Sequence, residues 1–175
     1  MHRAHLLTLL NNYEPTDSHE KENKEKTITF IQQHPHCFER TLESGHITAS
    51  CWLVNHNNTK ALLTHHKKLN MWIQLGGHCD GNPDVLAVAI KEAQEESGIT
   101  DIKPLFSGIF DIDVHFIPEH KKEKAHYHYD VRFLLQAGNE NIVVSDESHN
   151  LQWIEKSKSS SLSPSVKRMF EKWVT

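Results

Sequence analysis

The chain has 175 residues, of which 37% are hydrophobic and 24% are charged, and its formal net charge at pH 7 is −4. These values are typical of one globular domain with a core of useful size. A negative balance argues against a general nucleic-acid binder, which normally has a basic face. No apolar run reaches the roughly 20 residues that a membrane helix needs. We therefore expect no stable nucleic-acid partner and no membrane insertion.

The cysteines and the first residues suggest where the protein works. Cys37, Cys51 and Cys79 form neither a paired framework nor a CxxC motif, which indicates reduced thiols. The segment after Met1 has neither the apolar stretch nor the cleavage site of a signal peptide. The sequence therefore predicts a cytoplasmic protein.

Two helices are predicted at the N-terminus. The first contains the leucines between residues 6 and 10 and ends near Pro15. The second begins at Asp17 and Glu20, which have the spacing of an N-cap and a capping box, and it ends before Pro35. We interpret residues 1–40 as a helical extension packed on a core domain of residues 41–175, in one globular unit.

Strands surround a helix in the middle of the chain. Apolar runs predict strands at 47–54 and 60–64 and a short third strand at 72–75. The following helix is predicted with Asn82 as N-cap, Pro83 at its first position and Gly98 at its C-terminal end. Further predicted elements are strands at 108–117, 126–135 and 151–154, a polar linker at 157–163 and a terminal helix from Ser163. This order predicts a mixed α/β or α+β sandwich.

Three glutamates share one face near the end of the mid-chain helix. Glu92, Glu95 and Glu96 are three and four residues apart, so they repel each other and oppose the helix dipole, at a cost of about 0.3–1 kcal/mol each. A bound divalent cation would offset that repulsion, and carboxylate oxygens suit Mg²⁺ or Mn²⁺. The alternative is an ordinary solvated helix face. The glycine turn Gly76–Gly77 before the helix favours the metal.

The segment from Gly77 to Ile99 resembles the Nudix box, G-x5-E-x7-R-E-U-x-E-E-x-G-U, where U is a bulky aliphatic residue. The matching positions are Gly77, Glu92, Glu95, Glu96, Gly98 and Ile99. The resemblance implies an α/β/α sandwich with a mixed sheet and the hydrolysis of a diphosphate linkage in a nucleoside diphosphate derivative or related organic pyrophosphate. It also implies that the Gly76 carbonyl and the three glutamates hold Mg²⁺ or Mn²⁺, with Glu95 and Glu96 at the centre of catalysis.

The chain departs from the Nudix pattern at three positions. Pro83 stands where the family has Glu, Lys91 where it has Arg, and Ala93 where it has a larger aliphatic residue. In the family, that Glu and Arg help to fix the loop to the helix. We expect Asp80 or Asp84 to pair with Lys91 instead, although Lys lacks the bidentate fork of Arg. The carboxylates remain, so activity is expected.

Two later segments alternate polar and apolar residues with a period of two, which places each polar set on one side of its strand. If the strands pair as a hairpin, one face carries Asp111, Asp113, His115, His126, His128, Asp130 and Arg132. A polar face in water is the alternative. Histidine, aspartate and arginine are, however, the groups that ligate metals, shuttle protons and clamp phosphates. We therefore predict a functional face.

Roles on this face follow from side-chain chemistry and from the resemblance. Arg132 is predicted to hold a phosphate, and the substrate pocket is predicted to include His78, Asp113, His115 and His128. His78 could equally stabilise the turn. An additional metal bound by His126, His128 and an aspartate remains open.

The general base is predicted to be Glu147, with Asp130 as second choice, because a carboxylate can activate the attacking water. Both have structural alternatives, Glu147 as a loop cap and Asp130 as the partner of Arg132.

Cys79 suggests the related isopentenyl diphosphate isomerases, but its position inside the turn favours a small buried residue.

Two other functions remain open. One is a non-catalytic Nudix-fold protein that binds a nucleotide or a protein, which Pro83 and Lys91 favour. The other is a histidine-based metal-binding module that holds Zn²⁺ or Ni²⁺ through His126 and His128. A homodimer is compatible with either function and with the enzyme.

Overall fold

The computed structural model describes residues 2–67, 69–120, 124–145 and 148–173, without the side chains of 160 and 161. The helices are α1 Ala4–Asn12, α2 Ser18–Gln33, α3 Val85–Ser97 and α4 Pro164–Lys172. The strands are β1 Gly45–Val54, β2 Lys60–His66, β3 Met71–Ile73, β4 Leu75–His78, β5 Ile102–Pro104, β6 Asp111–Ile117, β7 His126–Ala137 and β8 Ser148–Glu155. Among these residues, no helix is long and apolar enough to cross a membrane.

The strands form one mixed sheet around β1. The main path runs β3-β2-β1-β7-β5, while β4 pairs with β1, β6 with β7 and β8 with β2. Strands β1 and β7 are parallel, and every other described pair is antiparallel. The sheet therefore brings the glycine segment in β4 and the polar strand β7 to opposite sides of β1.

Alternate residues of β1 pack into two different cores. Ile47, Ala49 and Cys51 belong to a core that also contains buried residues of α1, α2 and α3. Trp52 and Val54 belong to a second core, which the apolar side of α4 covers. Helices thus lie on both faces of the sheet, which confirms the predicted α/β/α sandwich. The predicted division at residue 40 stays a prediction, although α1 and α2 pack on the first core.

The helix ends follow the local sequence in most cases. Asp17 accepts a hydrogen bond from the Glu20 amide, as predicted, and Ser163 caps α4 with Pro164 in its first turn. The predicted capping box was wrong, because the Glu20 side chain accepts from the Thr16 amide and the Tyr13 hydroxyl. Gly98 ends α3 with a φ of 74°, a left-handed conformation that glycine adopts at low cost. The predicted start of α3 was wrong, because Asp84 is the N-cap and Pro83 lies before the helix.

Three other elements differ from the predictions. The predicted third strand is two short strands, β3 and β4, which pair with β2 and β1 respectively. The predicted polar linker contains a 3-10 helix at Lys156–Ser161. Strand β5 was not predicted, since its three residues include Pro104 and carry little periodic signal.

Candidate active site

Gly76 and Gly77, which the sequence placed in a turn, lie in strand β4, pair with β1 and contact the carboxylates of α3. Gly76 has a φ of 154°, and a Cβ atom there would overlap Ser50 on the neighbouring strand. A Cβ atom on Gly77 would come within 2.5 Å of Glu92 Oε2. The Gly76 amide also donates to Glu96 Oε1 over 3.2 Å. Gly76 and Gly77 are therefore required because any side chain there would overlap β1 or the Glu92 carboxylate.

Lys91 pairs with the glutamates of its own helix. Its Nζ atom lies 2.7 Å from Glu95 Oε2 and 3.5 Å from Glu92 Oε1. The predicted pairing of Lys91 with Asp80 or Asp84 was wrong. Asp80 forms a two-pronged ion pair with Arg40, at 2.5 Å for each bond, and Asp84 caps α3. Lys91 therefore offsets part of the carboxylate repulsion that the sequence indicated.

The loop that follows β4 is fixed by contacts with the segment before β1. These contacts take the role that the Glu and Arg of the Nudix pattern have in the family. Arg40 binds Asp80, and the Gly81 amide donates to the Phe38 carbonyl over 3.0 Å. Cys79 is buried in the same segment, and burial raises the pKa of its thiol. The structure therefore supports a small packing residue at Cys79 and a fixed turn despite Pro83 and Lys91.

The donor set beside the turn fits an oxygen-preferring divalent cation. Glu92 and Glu96 are partly buried against Gly76 and Gly77, while the side chain of Glu95 is 58% exposed. Three carboxylates on one helix face match the hard-oxygen preference of Mg²⁺ and Mn²⁺. Coordination by the Gly76 carbonyl stays a prediction.

Strands β6 and β7 form the hairpin that the alternation predicted. Their antiparallel register places Asp111 opposite Arg132, Asp113 opposite Asp130, and His115 opposite His128. The parallel register between β7 and β1 adds His46 beside His128, Thr48 beside Asp130 and Ser50 beside Arg132. One sheet face therefore carries a continuous polar surface, which separates into two halves.

The charge-paired half consists of Asp111, Asp113, Asp130 and Arg132, with Arg168 of α4. Arg132 is 2% exposed and donates to Asp111, Asp113 and Asp130 over 2.9, 3.0 and 2.8 Å. Arg168 donates to Asp111 over 3.0 Å from the other side. Burial would lower the pKa of Arg132, but the three carboxylates outweigh that effect and raise it. The structure does not support Arg132 as a phosphate ligand, because its donors are enclosed by these carboxylates.

Asp130 is bound on several sides. Its oxygens accept hydrogen bonds from Ser50 at 2.6 Å, Thr48 at 3.0 Å and Gln74 at 3.2 Å, in addition to the bond from Arg132. The residue is 3% exposed. The structure therefore favours the structural alternative for Asp130 over a role as general base. Glu147, the first choice, lies outside the described residues.

Asp113 joins the two halves of the face. Its carboxylate pairs with Arg132 and Arg168, and it also lies 3.3 Å from His115 Nδ1. Burial would raise the pKa of Asp113, but His115 and the two arginines outweigh that effect and hold the pKa well below its usual range. The predicted substrate role of Asp113 stays a prediction, although these ion pairs occupy much of its carboxylate.

The histidine half consists of His46, His78, His115, His126 and His128. The ring of His128 lies 4.8 Å from that of His46, 5.1 Å from His78, 5.0 Å from His126 and 5.5 Å from His115, measured between centroids. Burial and the neighbouring imidazoles lower the pKa of His46 to about 4 and that of His128 to about 2. These two histidines are therefore neutral at pH 7.

His46 was missed by the sequence reasoning. The predicted strand began at residue 47, whereas β1 begins at Gly45, so that His46 shares the face of Thr48 and Ser50. Extending the alternation of β1 backwards by two residues would have found it. Its proximity to His128, however, depends on the parallel pairing with β7, which no local pattern shows.

Comparison with known proteins agrees with this geometry. A family model described as the NUDIX domain matches residues 45–171, and the chain therefore belongs to the Nudix family. The protein is accordingly a Nudix-type pyrophosphohydrolase. No curated protein sequence matches the chain.

Several solved structures are similar in fold. An Ap4A hydrolase from C. elegans has a TM-score of 0.56 at 19% identity, over 72% of this chain and 93% of that one. A MutT Nudix hydrolase from Burkholderia pseudomallei has a TM-score of 0.57 at 19% identity, over 76% and 100%. The E. coli dihydroneopterin triphosphate pyrophosphohydrolase has a TM-score of 0.58 at 14% identity, over 73% and 94%. These similarities show a shared fold.

Proposed function

We propose that the protein is a cytoplasmic pyrophosphohydrolase that depends on Mg²⁺ or Mn²⁺ and cleaves a diphosphate linkage in a nucleoside diphosphate derivative or related organic pyrophosphate. The observation that carries this proposal is the packing of Glu92 and Glu96 against Gly76 and Gly77. Glutamates on an ordinary solvated helix face would point into water. A cation held between β4 and α3 requires the glutamates of α3 to lie against the glycines of β4, as they do here.

The roles of the residues follow from their positions. Glu92 and Glu96 would fix the cation beside the turn, and the cation would neutralise charge on the diphosphate oxygens. Glu95 is the most exposed of the three and can reach both the cation and solvent. In the reaction, a water oxygen forms a bond to phosphorus and the bridging P–O bond breaks. A carboxylate takes the proton from water, for which Glu95, Glu96 and Glu147 are the candidates.

The substrate would lie over the turn and extend toward the histidine half. His78 follows the glycines directly and is partly buried, and His115, which lies beside Asp113, has 41% of its side chain accessible. The exposure of His115 supports its predicted substrate role, while the predicted substrate roles of His78 and His128 stay predictions. This proposal gives Arg132 no role in substrate binding, because its guanidinium donates to three buried carboxylates.

The proposal is tested by release of phosphate or a monophosphate from a panel of diphosphate compounds with Mg²⁺ or Mn²⁺. The panel includes ADP-ribose, sugar nucleotides, nucleoside triphosphates and a non-nucleotide diphosphate. It also includes Ap4A and dihydroneopterin triphosphate, because two similar structures are described as hydrolases of those compounds. We expect turnover of at least one compound.

The Glu95→Gln/Glu96→Gln variant should lose at least about 100-fold in rate. Glu22→Gln is the matched control, since Glu22 pairs with Lys26 at i,i+4 over 2.7 Å as Glu95 does with Lys91. Its rate should be unchanged. Cation binding without turnover of any compound would instead favour the non-catalytic nucleotide- or protein-binding function.

A further inference from the structure

We propose that His46, His78 and His128 form a second metal site that binds a transition-metal ion, with Zn²⁺ as the expected occupant. This site is distinct in its ligand chemistry from the carboxylates on α3. The inference does not depend on the proposed hydrolysis, because it concerns imidazole nitrogens on the opposite face of β1 from the α3 core.

The three histidines converge from three strands. One ring nitrogen from each lies within 4.8 Å of the corresponding nitrogens of the other two. Zinc–nitrogen bonds of about 2.0–2.1 Å place tetrahedral ligand atoms about 3.3 Å apart, so the most separated ring nitrogens need to approach by up to about 1.5 Å. Rotation of the side chains about their own bonds can supply that movement. Three imidazoles with an open fourth position are a recurrent zinc arrangement.

The buried ring nitrogens of His46 lack hydrogen bonds of normal geometry among the described residues, and a bound metal ion would interact with one of them. His46 is 2% exposed, and within the described part of the chain neither of its ring nitrogens makes a hydrogen bond of normal geometry, although the Leu42 backbone interacts weakly with the ring. A buried polar group without a partner costs about 1–3 kcal/mol. A metal–nitrogen bond would use the lone pair of one of these atoms.

His126 supports the site from its edge. Its Nδ1 atom lies 2.7 Å from the Lys124 carbonyl, so in the tautomer that donates this bond its Nε2 atom carries the lone pair. That Nε2 atom lies 3.1 Å from His128 Nε2, a spacing that two ligands of one metal adopt. Metal-binding histidines commonly donate their other nitrogen to a backbone carbonyl. His126 is therefore placed to supply a fourth ligand.

The chemistry of the cluster favours a cation over an anion. One ring nitrogen from each of His46, His78 and His128 lies within 4.8 Å of the other two, which suits one shared cation. Neutral imidazole suits Zn²⁺ and its neighbours in the transition series, while carboxylates suit Mg²⁺ and Mn²⁺. An aspartate ligand, which the sequence suggested, does not fit, because Asp113 is committed to two arginines. In the proposed site, His46 and His78 are the ligands in place of the aspartate.

The test is calorimetric titration of the metal-free protein with Zn²⁺ in excess Mg²⁺, which saturates the carboxylates. We expect one equivalent of Zn²⁺ to bind, and its affinity to fall at least about 10-fold in each of His46→Gln, His78→Gln and His128→Gln. His78 is only partly buried, so that variant should fold even if the others do not. His36→Gln, at an exposed histidine, is the control and should bind as the wild type does.

Three results would overturn the site. The first is Zn²⁺ affinity that is the same in folded His78→Gln as in the wild type. The second is loss of Zn²⁺ binding in Glu95→Gln/Glu96→Gln, which would place the ion on the carboxylates. The third is inorganic pyrophosphate binding that depends on the histidines without any zinc binding. Hydrolysis by the same variants is measured separately, so failure of this site and failure of the proposed function give different patterns.

Discussion

Arg132 and His46 are equally buried on adjacent strands of one sheet face, yet their surroundings differ. Arg132 donates to three carboxylates, and Arg168 closes the group from α4. His46 lies beside the rings of His78, His126 and His128, and its own nitrogens make no hydrogen bond of normal geometry among the described residues. A buried group with all its partners present holds the fold together. At His46, the convergence of two further histidines on ring nitrogens that lack partners in the described part of the chain points to a bound metal ion.

Removal of Arg132 should have the largest effect on stability. Arg132→Met leaves three buried carboxylates without their shared cation, which should cost about 3–5 kcal/mol in the free energy of unfolding. Chemical denaturation measures this. Arg40→Met is the matched control, because its ion pair with Asp80 is about half exposed, and it should cost no more than about 1 kcal/mol. If Arg132→Met and Arg40→Met lowered the free energy of unfolding equally, the buried Arg132 cluster would be no more important for stability than the exposed Arg40–Asp80 pair.

Acidification should weaken the histidine half at a higher pH than it weakens the buried ion pair of Glu20 and Lys172. The pKa of His46 is lowered from 6.5 to about 4, so between these values the unfolded chain binds the proton first and stability falls as the pH falls. At about 1.4 kcal/mol per pH unit, the loss from His46 alone in the metal-free protein should reach up to about 3 kcal/mol over that range, and His128, whose pKa is also lowered, adds to it. His46→Gln should reduce the slope without abolishing it. A wild-type curve that is flat between pH 7 and 5 would contradict this account.

The buried pair of Glu20 and Lys172 should respond only at lower pH. Burial would raise the pKa of Glu20, but hydrogen bonds from Lys172, Thr16 and Tyr13 lower it from 4.5 to about 2. Its contribution is therefore complete above pH 4.5 and is lost as the pH falls toward 2. In Lys172→Met, denaturation measured at pH 7 and at pH 3 should show a smaller difference than in the wild type. A larger difference would contradict the assigned pair.

Neutralisation of Lys91 should have the smallest effect. Lys91→Gln removes a positive charge 2.7 Å from Glu95, so Mn²⁺ affinity should rise by about two- to fivefold while stability changes by less than about 0.5 kcal/mol. Electron paramagnetic resonance of free Mn²⁺ measures the affinity. Lys26→Gln, in the corresponding pair on α2, should leave it unchanged. Weaker Mn²⁺ binding in Lys91→Gln would show that Lys91 orders the carboxylates.

Local patterns in the sequence predicted much of the fold. The capping residues Asp17 and Ser163, the glycine at 98 and the period-two alternation of β6 and β7 each depend on neighbours a few residues away, and the structure confirms them. The start of α3 was misplaced because Asn82 and Asp84 are both good caps and only the second accepts the Ala87 amide. Short strands such as β5 carry too few residues for a period to be seen.

The parts that sequence could not provide depend on contacts between distant segments. Arg40 and Asp80 are 40 residues apart, and Arg132 and Arg168 meet Asp111 only because α4 returns to the sheet. Residue type alone suggested that Arg132 binds a phosphate. Only its burial among three carboxylates shows a structural role, and only the parallel register of β1 and β7 brings His46 to His128.

The most direct test is a crystal structure with both metals present, using anomalous scattering at the zinc and manganese edges to locate each ion. The account predicts manganese beside Glu92, Glu95 and Glu96, and zinc among His46, His78 and His128. Zinc found on the glutamates, with the histidines empty at saturating Zn²⁺, would contradict the division of this site into a carboxylate centre and an imidazole centre.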